Sequence, residues 1–273
     1  MNTSSERPAI IFLHIPKSGG TTMHTIIERQ YPPDRIFTID GQRVPQSIAE
    51  FKALPAATRA RLQVLKGHMA FGLHAWLPQP ATYFTLLRHP VERAISHYYH
   101  ILRSPHHTHH AAVAGGKMDL QAFVEAGVSR IVDNGQVRAL AAAEETPYGQ
   151  CTAAMLAQAE ANIAAAFDLV GLTERFDETL VLLKQRYGWR IGAYRRQNIG
   201  ANRPPSADVP PAAWRLLEEL NQFDIQLYEQ AAARLDQAVA RGGARFAVDV
   251  RRLQWRNALR SRYRQLALRL RSI

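Results

Sequence analysis

The chain has 273 residues, 47% hydrophobic and 21% charged, which is enough for one large domain or two small ones with a sizeable core. Its formal net charge of +11 predicts attraction to polyanions such as nucleotides, acidic glycans, nucleic acid or anionic lipid. The single cysteine, Cys151, excludes an internal disulfide, and no apolar run reaches the roughly 18 residues that span a bilayer. With no apolar signal segment at the start, we expect a cytoplasmic protein.

The start of the chain has the pattern of a buried strand, a tight turn and a helix. Residues 10–13 are continuously apolar, as expected of a central strand covered on both faces. Pro16 ends that strand and sets φ for the turn. Gly19 and Gly20 then permit a backbone geometry and a close approach that a Cβ would block.

This turn also predicts an anion site. Thr21 and Thr22 can cap the helix through their hydroxyls, and a helix start presents free N–H groups at its positive dipole end. Lys17 adds a full positive charge, so a phosphate or sulfate would fit. The lysine precedes the glycines, whereas the Walker A order is GxxxxGK[ST], so hydrolysis of a nucleoside triphosphate is disfavoured.

A second strand-to-helix junction carries cationic and hydroxyl groups. Residues 82–87 form another buried-type strand, and Pro90 occupies a position favoured at a helix start. Arg88 therefore lies at the carboxyl end of a strand, and Ser96 lies two turns into the next helix. Ligands of open α/β sheets bind at such strand ends.

The remaining segments alternate strand and helix patterns and predict an α/β fold. We expect a P-loop-like three-layer sandwich with a mostly parallel central sheet and helices on both faces. Further strands are predicted at 35–39, 63–65 and 167–172. The segment from Ala212 to Leu235 is predicted to be helical. Gly242-Gly243 is a plausible hinge, which divides the chain into a domain at 1–241 and a basic helical tail at 242–273.

The tail has the pattern of an amphipathic basic helix, and two interpretations of it stay open. Its apolar face carries Trp255, Leu259, Tyr263, Leu266 and Leu270, with arginines around the rest. Such a helix can contact an anionic membrane peripherally. It can equally pack across the domain with a solvated basic face.

The two junctions together resemble the sulfotransferases. His14 to Thr22 is similar to their 5′-phosphosulfate loop, usually HIPKTGGT, and Leu87 to Arg93 with Ser96 resembles their 3′-phosphate segment, usually RDPxxR followed by a serine. Lys66 to Met69 resembles the GH segment of the heparan and dermatan uronosyl 2-O-sulfotransferases, the branch that these motifs place nearest. The resemblance covers roughly residues 9–230.

The resemblance implies 3′-phosphoadenosine 5′-phosphosulfate (PAPS) as sulfuryl donor. Lys17 would stabilise charge on the departing 5′-phosphate, where backbone N–H groups from Ser18 to Thr22 would hold phosphate oxygens. Arg88 and Ser96 would bind the 3′-phosphate. A late basic loop with Arg195, Arg196 and Asn198 would close over the nucleotide. No metal ion is demanded, because the transferred group carries less charge than a phosphoryl dianion.

A histidine is the expected base for the acceptor hydroxyl. His68 matches the GH segment and has a suitable ordinary pKa, near 6.5, with His74 as a weaker rival. The histidines at 106–110 lack a cysteine or carboxylate partner at ligand spacing, so a solvated loop is favoured over a metal site. His89 stands where the family usually has aspartate and removes a helix cap. Lys66 stands where the uronosyl branch often has a second histidine.

We therefore expect a PAPS-dependent O-sulfotransferase that transfers directly to a carbohydrate hydroxyl. The net charge favours an acidic glycan as acceptor, and no specific nucleic acid is expected. Two alternatives stay open. One is a non-catalytic member of the fold that binds a polyanion, a glycan or a membrane. The other is a sulfotransferase acting on protein tyrosine or on a small molecule.

Overall fold

The computed structural model describes residues 8–195, 197 and 208–270. Within this part of the chain, five strands form one parallel sheet: β1 (Ala9–Leu13), β2 (Ile36–Ile39), β3 (Val64–Gly67), β4 (Ala81–Leu87) and β5 (Phe167–Leu172). Their order across the sheet is β2-β3-β1-β4-β5, so β1 lies at the centre. The α/β class and the parallel sheet are confirmed.

Alternate residues of β1 enter two different cores. Ile11 and Leu13 pack on one face of the sheet, whereas Ile10 and Phe12 pack on the other. All of β1 is buried, because both faces are covered by helices. This explains why the strand is a continuous apolar run rather than an alternating one.

The helices lie on both sides of this sheet. Their bounds are α1 (Gly20–Ile27), α2 (Val44–Ala53), α3 (Ala56–Ala60), α4 (Pro90–Leu102), α5 (His110–Val113), α6 (Leu120–Glu125), α7 (Gly135–Leu140), α8 (Ala153–Ala166), α9 (Phe176–Tyr187), α10 (Pro211–Leu220) and α11 (Gln222–Leu270). Helix α4 begins at Pro90, as predicted from the preference of proline for the first helical position.

The helical structure predicted from Ala212 to Leu235 is confirmed except at one residue, where the segment divides into two helices. The chain leaves helical geometry at Asn221, between α10 and α11. The amide of Asn221 is buried and donates to the carbonyl oxygens of Val132 and Leu217. The apolar periodicity is continuous through this point, so it could not show that a buried polar side chain interrupts the helix.

Helix α11 packs on both faces of the sheet because it bends at a glycine. Gly243 has φ 57° and ψ −154°, which is outside helical geometry, in agreement with the predicted hinge. Before the bend, Leu227 and Leu235 join one core; after it, Phe246 and Leu253 join the other. The domain boundary at residue 242 stays a prediction. No helix of the described residues is long and apolar enough to cross a membrane.

Candidate active site

Three adjacent strands end at one open cleft. The loop after β1 carries Lys17, His68 follows β3 directly, and Arg88 follows β4 directly. Because β3, β1 and β4 are parallel neighbours, their carboxyl ends lie at the same edge of the sheet. All three side chains line the same cleft, together with Ser96 from α4. The structure therefore brings together these four of the residues expected at the donor and acceptor sites.

The loop after β1 holds its lysine in an unusual backbone geometry. Lys17 has φ 68°, in the left-handed region that residues with a Cβ seldom occupy. Burial, and then the positive charges of Arg103 and Arg88, lower the pKa of Lys17 to about 8. Strain and desolvation of this kind concentrate at functional sites.

The residues that follow Lys17 differ in part from the expected pattern. Ser18 is fully buried, and its N–H donates to the carbonyl of Ile15 at 3.3 Å, so that N–H is already occupied within the loop. Gly19, with φ 76°, is the N-cap of α1. No side chain caps the start of α1, because its N-cap residue is a glycine. The capping role expected of Thr21 and Thr22 is wrong, since both residues lie inside the helix.

Gly20 makes room for a histidine. A Cβ on Gly20 would lie 1.7 Å from Nε2 of His14. The imidazole ring of His14 is thus seated directly over the first turn of α1. The glycine is required here by the neighbouring side chain, which the sequence pattern could not show.

Arg88 is fixed by hydrogen bonds from both backbone and side chain. Its N–H donates to the side-chain oxygen of Gln136 at 2.9 Å, and its carbonyl accepts from the amide of the same residue at 3.0 Å. Its guanidinium donates to the carbonyl oxygen of Lys17 at 3.1 Å and lies 3.5 Å from the carboxylate of Glu92. The half-buried Ser96 lies two turns further along α4.

His68 has the tautomer that a base requires. Its Nδ1 lies 3.0 Å from the carbonyl oxygen of His14, which can only accept, so Nδ1 carries the proton and Nε2 keeps its lone pair. Burial, with a smaller contribution from Lys17, lowers the pKa of His68, while the bond to His14 acts in the opposite direction. The ring is therefore neutral near pH 7. His74, in contrast, hydrogen-bonds through Nδ1 to the hydroxyl of Tyr83 and does not line the cleft.

A late segment of the chain contacts helix α1. The N–H of Gln197 donates to the hydroxyl of Thr22 at 2.9 Å, and its side-chain amide donates to Thr25. Arg195 is exposed and does not line the described cleft. The other two residues named for this loop, Arg196 and Asn198, lie outside the described residues.

The far half of α4 extends the cleft with groups that the motifs did not single out. His97 and His100 of α4 line the cleft, as do Arg103, which directly follows this helix, and His107 from the histidine-rich loop. The ring of His107 lies 5.7 Å from that of His97 and 5.8 Å from that of His100. The spacing of His97, His100 and Arg103 by three residues places them on one helix face, and this spacing is the sequence signal that indicates these cleft residues. Among the described residues, no group of three or more ligating side chains is arranged for a metal ion.

Two residues of the 3′-phosphate segment have structural roles. His89 is the N-cap of α4 and makes no side-chain capping bond, as expected from the loss of aspartate. Arg93 is fully buried, where it pairs with Asp224 of α11 at 3.3 Å and donates to the carbonyl of Ile131. The carboxylate of Asp224 also accepts the N–H of Val137 at the start of α7.

A parallel sheet whose central strand ends in a lysine-bearing, glycine-rich loop, with an arginine at the end of the next strand, defines an α/β protein of the P-loop-like class. The galactose-3-O-sulfotransferase family model matches residues 1–269. The chain belongs to that family. The expected sulfotransferase resemblance, in the carbohydrate branch, is thereby confirmed, although the family is named for galactose 3-O transfer and not for the uronosyl 2-O transfer that the motifs place nearest.

Two curated relatives agree with the family assignment, and one solved structure aligns with part of the chain. The chain is 27% identical over 265 residues to human galactose-3-O-sulfotransferase 3, covering 89% of this chain and 60% of the relative. It is 34% identical over 93 residues to the mouse protein of the same name, covering 33% of this chain and 22% of the relative. The chain thus spans less than two thirds of either relative. A solved structure of mouse sulfotransferase SULT7A1 complexed with PAP aligns with TM-score 0.41 at 16% identity, over 68% of this chain and 59% of the other.

Proposed function

We propose that the protein transfers a sulfuryl group from PAPS to a hydroxyl of a carbohydrate acceptor. One observation carries the proposal: Lys17 and Arg88 line one cleft and are joined by a hydrogen bond, with the neutral imidazole of His68 in the same cleft. Two cationic groups at adjacent strand ends suit a ligand with an anionic group at both ends.

In this proposal, Lys17 and Arg88 divide the donor between them. Lys17 stabilises the charge that develops on the 5′-phosphate oxygen as its bond to sulfur breaks. Arg88 binds the 3′-phosphate through its guanidinium, with a hydroxyl donor from Ser96. Binding the anionic donor favours the protonated form of Lys17, which offsets the burial that lowers its pKa.

His68 is the proposed base. Its Nε2 accepts the proton of the acceptor hydroxyl while the acceptor oxygen forms its bond to sulfur on the face opposite the leaving phosphate oxygen. The transfer is direct and in line, so the sulfuryl group passes from the phosphate oxygen to the acceptor oxygen and PAP is released. The bond from Nδ1 to the carbonyl of His14 keeps the lone pair on Nε2.

The acceptor is proposed from the family name. We propose galactose, sulfated at the 3-hydroxyl, because the matching family and both curated relatives are named for that position. An acidic substituent on the acceptor is supported by the net charge of +11 and by the presence of Arg103 and Arg130 in the lining of the cleft.

The decisive experiment measures donor binding and transfer separately. Calorimetry with PAP tests the donor site, and labelled PAPS with a galactoside, its 3-deoxy analogue, a uronic-acid glycan and a tyrosine peptide tests the acceptor. We expect PAP binding and labelling of the galactoside but not of the 3-deoxy analogue. Absence of PAP binding would overturn the proposal. PAP binding with labelling of another acceptor would overturn only the galactose assignment, and binding without any labelling would favour the non-catalytic alternative.

We also propose that the second half of α11 contacts anionic membrane. Its outer surface exposes Trp255 (63%) and Tyr263 (74%), with exposed arginines such as Arg252 and Arg262 nearby. The side chains of residues 265–270 lie outside the described residues. Replacement of both aromatic residues by serine should weaken sedimentation with phosphatidylserine vesicles, whereas replacing Trp76, exposed elsewhere, should not. Equal binding by all variants would contradict the proposal. The cytoplasmic location stays a prediction.

A further inference from the structure

A series of hydrogen-bonded side chains links β3, α1 and the loop after β1. Lys66 of β3 is 2% exposed, and its ammonium lies 2.8 Å from the carboxylate of Glu28 and 3.0 Å from Nδ1 of His24. Nε2 of His24 lies 3.1 Å from Nδ1 of His14. The chain thus connects a buried cation to a histidine that lies directly against α1.

The lysine at one end dictates the tautomer of both histidines. An ammonium group only donates, so Nδ1 of His24 accepts from Lys66 and its Nε2 must carry the proton. That proton is donated to Nδ1 of His14, which leaves the proton of His14 on Nε2. Burial lowers the pKa of His24 to about 3 and that of His14 well below its ordinary value, so both rings are neutral.

Packing and the hydrogen bond to His24 together fix the direction in which this N–H points. The ring of His14 stacks on Phe12 with centroids 5.6 Å apart and on His68 with centroids 4.1 Å apart. Its Nε2 occupies the place where a Cβ on Gly20 would lie, at the first turn of α1. His14 is 9% exposed and lines the cleft. The two stacked rings fix the plane of the imidazole, and the hydrogen bond between its Nδ1 and Nε2 of His24 keeps Nε2 on the side of Gly20.

We propose that His14 is a neutral N–H donor to a tetrahedral oxyanion bound at the start of α1, and that Lys66 is a positioning residue that sets this role through His24. The oxyanion is the 5′-phosphate of the donor, which PAP also carries, so the inference rests on the proposed function. The uronosyl branch often has a second histidine at the position of Lys66. The inference gives Lys66 a positioning role in place of the role of that histidine as a base. It also explains why a lysine is buried beside the site.

Amide replacements test the donor role of His14, since a glutamine amide can reach the place of Nε2 and an asparagine amide can reach only that of Nδ1. We expect His14→Gln to bind PAP within about threefold of wild type, and His14→Asn to bind about tenfold more weakly or worse, as for loss of a hydrogen bond to a charged group. Equal losses in both variants would overturn the inference. Failure of wild type to bind PAP would overturn the proposed function instead.

The role of Lys66 has a readout that does not depend on activity. Nitrogen-15 NMR of histidine-labelled protein should show Nε2 protonated in both His14 and His24. Lys66→Met should convert part of the His24 signal to the other tautomer and weaken PAP binding, whereas Lys66→Arg, which keeps a donor, should restore the wild-type pattern. A wild-type His14 protonated at Nδ1 would overturn the inference, even if the Lys66 variants fail to fold.

Discussion

Arg88 donates a hydrogen bond from Nη1 to the carbonyl oxygen of Lys17, with 3.1 Å between the two atoms. This bond joins the end of β4 to the loop after β1. Lys17 has φ 68°, a geometry that costs on the order of 1–3 kcal/mol unless its surroundings hold it. The bond fixes the peptide that follows Lys17, so the two proposed donor-binding groups are coupled.

The coupling predicts that losses at the two sites are not additive. Lys17→Ala and Arg88→Met should each weaken PAP binding, and the double variant should lose less than the sum by on the order of 1 kcal/mol. The reason is that loss of Arg88 already releases the loop that positions Lys17. Calorimetry on the four proteins measures the cycle. Strict additivity would show that the loop is held without this bond.

The pKa of Lys17 predicts an alkaline limit of activity. Because that pKa is lowered to about 8, the protonated fraction falls as pH rises through 8, and kcat/KM for the donor should fall with it. Arg103→Met removes a neighbouring positive charge and should move the limit to higher pH. Arg130→Met, which removes another cleft cation, should leave the limit in place. An alkaline limit at the same pH in Arg103→Met as in wild type would contradict the assignment of this limit to Lys17.

His68 predicts the behaviour at the acid side. Its pKa is lowered by burial, so Nε2 stays unprotonated until the pH falls below the ordinary value near 6.5, and turnover should be flat down to that point. His68→Gln should lower kcat by about 100-fold or more, as for loss of general-base catalysis, with PAP affinity little changed. Steady-state rates and calorimetry separate the two effects. Retained turnover in His68→Gln would exclude this base.

Much of the fold could be predicted because buried strands are visible in the sequence as short, mostly apolar segments. The strands predicted at 10–13, 82–87 and 167–172 all lie in the sheet, with bounds that differ by at most one residue. A strand that is buried on both faces, such as β1, must be apolar at nearly every position. The helix break at Asn221 was missed because the polar contacts that cause it come from residues about 90 positions away.

A site residue could be predicted from the sequence where its position depends only on the residues next to it in the chain. Lys17, Arg88 and Ser96 each follow from a strand-to-helix junction. The roles of His14 and Lys66 did not follow, since both depend on partners from different strands and helices. Thr21 and Thr22 were misassigned as caps because Gly19 takes the N-cap position with a left-handed backbone. A sequence pattern locates the turn, whereas the seating of each side chain depends on tertiary packing.

The close seating of His14 over α1 predicts a severe effect of one methyl group. Gly20→Ala would place Cβ 1.7 Å from Nε2 of His14, so the ring must leave its place between Phe12 and His68. We expect loss of most PAP binding and a lower melting temperature. Gly192→Ala is the matched control, because a Cβ there meets nothing within 4 Å. Thermal unfolding and calorimetry measure both, and wild-type behaviour of Gly20→Ala would refute the packing argument.

The buried pair of Arg93 and Asp224 predicts a large, asymmetric effect on stability. Both side chains are 0% exposed, so Arg93→Met leaves a buried carboxylate without its counter-charge and should cost about 3–5 kcal/mol. Adding Asp224→Asn should recover part of that free energy, because the uncompensated charge is removed. Arg43→Met breaks an exposed pair with Glu50 and should cost no more than about 1 kcal/mol. Urea unfolding measures all three, and a cost for Arg93→Met as small as that for Arg43→Met would show that the buried pair does not hold α4 against α11.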